Sequence, residues 1–129
     1  MKPLHAILTK LFLAITISMP ALANSYNDGW TAYSKGNYKT AINIFMQLAE
    51  QGDVGAQFNL GYMYSNGRGV YQDSKEAIKW YHLAAEQGDV DAQSNLGLMY
   101  VKGQGVPEDN DEAIKWWRLA AKQGDAAAQ

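Results

Sequence analysis

The sequence predicts an all-α solenoid of stacked antiparallel helix hairpins, and three observations carry that prediction. Residues 51–86 are written again at 87–122, in register over 36 positions of which 23 are identical. Within each copy, two runs of apolar residues recur at helical spacing. A glycine-rich stretch separates the two runs, and capping residues bound them. A period of this size marks supersecondary units that cannot bury their apolar faces alone and therefore stack on one another.

The elements follow in chain order. Residues 1–23 read as a secretory signal peptide: Lys2 and Lys10 carry positive charge, Leu11 to Met19 is a short apolar run, and Pro20 precedes the cleavage motif Ala21-Leu22-Ala23. A membrane anchor would need about 20 apolar residues, so no stable insertion is expected after cleavage at Ala23. The motif contains no cysteine, which excludes a lipid-anchored start. Residues 24–50 form a shorter first unit, with Ser25 and Asp28 as a capping box. Ala41, Phe45 and Glu50 match Ala77, Tyr81 and Glu86 at a spacing of 36, whereas Tyr33 and Gly36 match Tyr64 and Gly67 at 31. On that alignment five residues are missing from the first unit's loop.

The second unit, 51–86, opens with Asp53 as N-cap and a stripe of Ala56, Leu60, Met63 and Tyr64. Asn66-Gly67-Arg68-Gly69 breaks the helix. Asp73 and Glu76 are spaced as a second capping box, followed by the stripe Ala77, Trp80, Tyr81, Ala84 and Ala85, and Gly88 closes the unit in a left-handed C′ position. The third unit, 87–122, repeats this with Asp89, Ala92, Leu96, Met99 and Tyr100. Its second helix has Asp109, Glu112, Ala113, Trp116, Trp117, Ala120 and Ala121, with Gly124 as the stop. Residues 123–129 read as the start of a further unit. Gly61 and Gly97, placed inside helices where glycine costs about 1 kcal/mol relative to alanine, predict close passage of another helix backbone.

These repeats resemble the Sel-1-like repeat, a relative of the tetratricopeptide repeat. The pattern A-x-x-x-L-G-x-x-Y-x-x-G-x-G-V, then D, then A-x-x-W and A-A-x-x-G runs through Ala56 to Gly88 and again through Ala92 to Gly124. The resemblance implies a right-handed α/α superhelix that acts as a protein-interaction scaffold, with bacterial members in envelope assembly, signalling or host contact. The chain has no cysteine, so the disulfide-stapled branch of the family is a poor guide to it.

Composition narrows the function. Without Lys2 and Lys10, nine basic residues face thirteen acidic ones, and no basic run offers a footprint for nucleic acid. The missing cysteines also remove thiolate metal sites and disulfides from a compartment that would permit them, periplasmic or extracellular. His82 is the only histidine beyond the leader and Arg118 replaces it in the next unit, so it belongs to no metal set or catalytic pair. The Gly67-x-Gly69 loop lacks the Gly-Lys-Ser/Thr and the preceding strand of a phosphate loop. Asp73, Glu76, Asp109 and Glu112 sit at cap spacing rather than as an acid–base pair. The Ser-x-x-Lys and Lys-Thr-Gly motifs of β-lactam hydrolases are absent. Neither an enzyme nor a cofactor is expected.

A partner-binding face is expected where the two good copies differ. On the first helix of each, the differences fall at Gly55/Asp91, Phe58/Ser94, Tyr62/Leu98, Ser65/Val101 and Asn66/Lys102, all flanking or opposite the apolar stripe. In a tetratricopeptide-like superhelix such positions line the concave groove. The expected groove is therefore Phe58, Tyr62, Ser65, Ser94, Leu98 and Val101. Asn27, Thr31 and Ser34 (with Lys35) join it from the first unit by the spacing of 31. Phe58 and Tyr62 are its expected anchors, since aromatics dominate interface hot spots. The reading is an exported adaptor for a protein or peptide. Its alternatives are an envelope hydrolase of the β-lactam-linked branch and a fragment of a longer scaffold. Trp116 and Trp117, near the last residues, are also expected to mediate self-association.

Overall fold

The computed structural model describes residues 24–128, so the expected signal peptide at 1–23 lies outside the described residues. Six helices follow one another: α1 (Tyr26–Ser34), α2 (Tyr38–Glu50), α3 (Val54–Asn66), α4 (Ser74–Glu86), α5 (Val90–Lys102) and α6 (Asn110–Ala128). Each packs chiefly on its neighbours in sequence, giving three hairpins, α1/α2, α3/α4 and α5/α6, stacked in line. This is an all-α helical-repeat solenoid. Among the described residues, no helix is long and apolar enough to cross a membrane.

The caps explain where the helices start. At α1 the box is complete: Ser25 Oγ accepts the Asp28 N–H at 3.2 Å, and Asp28 returns a carboxylate oxygen to the Ser25 N–H at 2.9 Å. Asp53 and Asp89 each accept a backbone N–H at 2.8 Å, from Ala56 and Ala92. The expected boxes at α4 and α6 form only by half. Asp73 and Asp109 accept the Glu76 and Glu112 N–H groups at 3.1 Å, but the two glutamates turn along their helices to Lys79 and Lys115. An i,i+3 cation on the same exposed face competes for the carboxylate.

Two apolar clusters hold the stack. The first joins Ala41, Ile42 and Phe45 of α2 to Leu60 and Met63 of α3 and to Trp80 of α4. The second joins Ala77, Tyr81 and Ala84 of α4 to Leu96 and Met99 of α5 and to Trp116 of α6. The α4 stripe is therefore divided. Tyr81 packs forward on the following hairpin, while Trp80 packs backward on the preceding one. Trp116 repeats Trp80 and is 5% exposed, which removes it as a surface for self-association. Of the two indoles only Trp117 remains open, at 40% against 3% for its counterpart Tyr81, because among the described residues no helix lies over α6 as α5 lies over α4.

The mid-helix glycines accept rings, not backbones. A Cβ on Gly61 would stand 2.5 Å from Tyr81, and one on Gly97 would strike the Trp117 indole. Gly124 does not stop its helix, since α6 runs on to Ala128. At Gly88 the chain turns with φ +99° and enters α5, which packs on α4. After Gly124 come Asp125 and three alanines, and alanine favours continued helix.

Buried amides stitch the corners between hairpins. Gln57, 4% exposed, donates to the Ala49 carbonyl at 3.2 Å and accepts at Oε1 from the Gln87 amide at 2.8 Å. Gln93, Ala85 and Gln123 repeat this at 3.1 and 3.0 Å. Replacing Gln93 with alanine leaves the Ala85 carbonyl and the Gln123 amide without these partners. The expected loss is about 1–3 kcal/mol, read as a lower urea midpoint at unchanged slope.

Candidate protein-binding groove

The first helices of the hairpins, α1, α3 and α5, present a shared face with two adjoining pockets. The larger, about 300 Å³, lies between α1 and α3 and is lined by Trp30, Tyr33, Phe58, Asn59 and Tyr62. The smaller, about 180 Å³, lies between α3 and α5, with Tyr62, Ser65, Asn66, Asn95, Leu98 and Gln104 on its walls. Tyr62 stands in both, so the pockets form one groove.

Aromatic packing shapes the first pocket. Trp30 and Tyr33, three residues apart on α1, lie nearly parallel at 5.4 Å and 10°. Tyr33 also meets Tyr38 of α2 at 5.1 Å, and the Arg68 guanidinium lies 5.2 Å from the centre of the Tyr38 ring, donating to its hydroxyl at 2.6 Å. Phe58 leans on Tyr81 at 5.6 Å, so it is part of the packing as well as of the pocket wall. Burial, followed by the neighbouring Tyr62 phenol, raises the Tyr33 hydroxyl above its usual titration range. Burial likewise raises Tyr81 at the second pocket, with Asn95 pulling it partway back. Both phenols are thus protonated donors at neutral pH. No charged side chain lines the first pocket.

The expected groove residues divide. Phe58 and Tyr62 line the first pocket, and Tyr62, Ser65 and Leu98 the second. Ser94 is exposed, and its carbonyl accepts the Trp117 indole N–H at 3.1 Å. Val101 is half-buried, while Asn27, Thr31 and Ser34 are exposed, and none of the four lines either pocket. Trp30 and Tyr33 stand in the groove instead of Thr31 and Ser34.

The cause is a one-residue shift in register. Helix α3 ends at Asn66 with Gly67 itself as the left-handed cap, at φ +65°. Helix α1 ends at Ser34, passes through Lys35 in right-handed geometry, and reaches its left-handed glycine, Gly36, one position later. Matching those two glycines displaced the helix by one. The helix ends are 32 apart, which pairs Trp30 with Tyr62 and Tyr33 with Ser65. Gly29 marks the same register, lying against Phe45 as Gly61 lies against Tyr81. Asn59 and Asn95 were missed for another reason. They are identical between copies, and the expected groove rests on differing positions alone.

No three His, Asp or Glu side chains converge on a metal-sized site among the described residues. His82 sits on the second-helix side, where its Nδ1 meets Glu86 at 2.6 Å and its ring meets Trp116 edge-on at 5.2 Å.

Comparison with known proteins agrees with this architecture. The Sel1 repeat pattern matches residues 54–89 and 90–125. A Sel1 repeat protein from Oxalobacter formigenes is 40% identical with a TM-score of 0.73, over 77% of this chain and 41% of that one. A protective antigen of uropathogenic Escherichia coli strains, displaying the SLR fold, is 39% identical with a TM-score of 0.73, over 77% of this chain and 22% of that one. An exopolysaccharide production negative regulator of Rhizobium leguminosarum bv. viciae is 40% identical over 56 residues, 43% of this chain. The chain spans about a fifth of that relative's length, 21%.

Proposed function

The chain belongs to the Sel1 repeat family, a family of protein-interaction scaffolds, and from that premise we propose that it is an exported adaptor binding a protein or peptide segment in the α1–α3–α5 groove. The observation that carries this reading is the aromatic pocket. Trp30 is 49% exposed and Tyr62 38%, large rings held open beside one another, as in an interface hot spot. Similarity to a negative regulator of exopolysaccharide production supports a regulatory setting, with binding rather than turnover as the action. The absence of a catalytic motif in the sequence supports the same reading. Hydrolysis of a chromogenic β-lactam by the purified protein would overturn it.

The test is capture of envelope proteins by wild type and by Trp30→Ala/Tyr62→Ala. Both side chains are half-exposed, so the variant is expected to keep its helical signal and lose its captured protein. Arg118→Ala, on the second-helix side, is expected to lose nothing. Loss of capture with Arg118→Ala alone moves the interface off the groove.

Export to the periplasm or beyond rests on the leader at 1–23. The protein recovered from a Gram-negative periplasm is expected to begin at Asn24 by mass spectrometry. An intact Met1 in that fraction contradicts cleavage after Ala23.

A further inference from the structure

We propose that the outer face of α6 docks a helix supplied by another polypeptide, an amphipathic helix of the same make as α3 and α5 with an acidic first turn. The site lies apart from the groove and does not rest on that reading.

The face is defined by what equivalent positions do elsewhere in the stack. Ile42, Phe45 and Ala49 of α2 are buried in one cluster with Ala56, Leu60 and Met63 of α3. Ile78, Tyr81 and Ala85 of α4 are buried in the same way with Ala92, Leu96 and Met99 of α5. On α6 the same line is Ile114, Trp117 and Ala121, and all three are exposed. Ile114 is 42% exposed against 8% for Ile78. Spaced by three and four residues, they form one continuous strip along the helix. Helix α6 runs straight on to Ala128, so within the described residues the chain does not turn back over it.

The two joints already formed show what the strip accepts. Each covering helix brings alanine, leucine and methionine at i, i+4 and i+7. Beside the alanine stands a glutamine that donates to a carbonyl of the covered helix, Gln57 to Ala49 at 3.2 Å and Gln93 to Ala85 at 3.1 Å. Ala121 is the matching position on α6. A helix of that pattern laid over the strip repeats packing that this stack makes twice.

Charge adds the acidic first turn. Helices α3 and α5 open on Asp53 and Asp89, three residues after Glu50 and Glu86 of the helices they cover. The inner joints thus bring like charges near one another. On α6 the matching residue is Lys122, with Arg118 in place of His82 one turn earlier, so an acidic first turn gains attraction there.

A second copy of the chain fits less well. By the spacing of 32, its α1 carries Asn24, Asp28 and Thr31 where α3 carries Ala56, Leu60 and Met63. That is the polar edge of a terminal repeat. The covering stripes of its α3 and α5 are already buried in its own stack.

A fluorescein-labelled synthetic peptide of residues 89–106, which carries α5 and the loop after it, tests this by anisotropy against the exported protein. The peptide is expected to bind wild type, and to bind Ile114→Glu about tenfold more weakly or worse. Ile114 is half-exposed, so that variant is expected to keep its helical circular dichroism. Lys122→Glu is expected to weaken binding at low salt, and a Leu96→Asp peptide not to bind. Trp30→Ala/Tyr62→Ala is expected to bind as wild type does, which separates this face from the groove. No binding, or equal binding by Ile114→Glu, would overturn the proposal. Binding lost only with Trp30→Ala/Tyr62→Ala would place the peptide in the groove and overturn it as well. A wild-type dimer by light scattering that Ile114→Glu dissolves would also overturn it, since the occupant would then be a second copy.

Discussion

Replacement of Trp80 by alanine is expected to lower the melting midpoint by roughly 15–30 °C, enough to unfold much of the protein at 37 °C. Trp80 is 5% exposed and lies where one hairpin meets the next, among Ile42, Phe45, Leu60 and Met63. Truncating a buried tryptophan removes its transfer free energy and leaves a cavity that the rigid stack only partly closes, about 3–5 kcal/mol together. A domain of this size holds about 5–15 kcal/mol in total. In a repeat array the loss also falls on the coupling between neighbours, through which each hairpin is stabilised. Trp80→Phe separates ring packing from hydrogen bonding. The Trp80 indole N–H is buried without a partner, so phenylalanine gives up apolar contact but also discards an unsatisfied donor. It is expected to lose far less than alanine in thermal melts followed by circular dichroism. A Trp80→Ala protein that melts within a few degrees of wild type would show that Trp80 is not the joint between hairpins.

Gly69→Ala is expected to destabilise clearly more than Gly36→Ala, although both replace a glycine of positive φ. At Gly36, φ is +81° and an added Cβ meets nothing within 4 Å, so the cost is conformational strain alone, about 1–2 kcal/mol. At Gly69, φ is +76° and the added carbon would lie 2.6 Å from the Tyr38 carbonyl oxygen and 2.8 Å from its carbon. Those atoms are backbone at the first turn of α2 and cannot swing aside as a side chain does. The loop must lift off the preceding hairpin, taking Arg68 from the Tyr38 hydroxyl with it. Gly105 makes the same approach to the Ser74 carbonyl one repeat later, so Gly105→Ala is expected to behave like Gly69→Ala. Urea unfolding of the three variants measures the difference. Equal losses at Gly36 and Gly69 would mean that the loop does not clamp the hairpins together.

Local patterns in the sequence were sufficient wherever the cause is itself local. The helices of the two full units and their Asp53 and Asp89 caps depend on residues a few positions apart, and the two 36-residue copies state them twice. The two pockets were legible in part, through Phe58, Tyr62, Ser65 and Leu98, because differences between copies fall on a surface. Asn59 and Asn95 escaped that test by being alike, and Trp30 and Tyr33 escaped it through the shifted cap at Gly36.

The remaining features were decided by tertiary contact. A periodic stripe shows that Trp80 and Tyr81 are both buried, but not that they face opposite neighbours; adjacent residues on a helix point about 100° apart, and only stacking assigns each side its cover. The same holds for Trp116 and Trp117, adjacent and chemically identical, of which one is buried by the preceding hairpin and the other left open. Gly88 and Gly124 share the tripeptide Gln-Gly-Asp, yet one turns and the other stays helical, because a glycine permits a turn and packing of the next helix selects it. The sequence by itself thus determined the repeat, its helices and the family, since these follow from periodicity and capping chemistry. The groove's register and the fate of each apolar face belong to the assembled stack, where burial depends on neighbours that no local window contains.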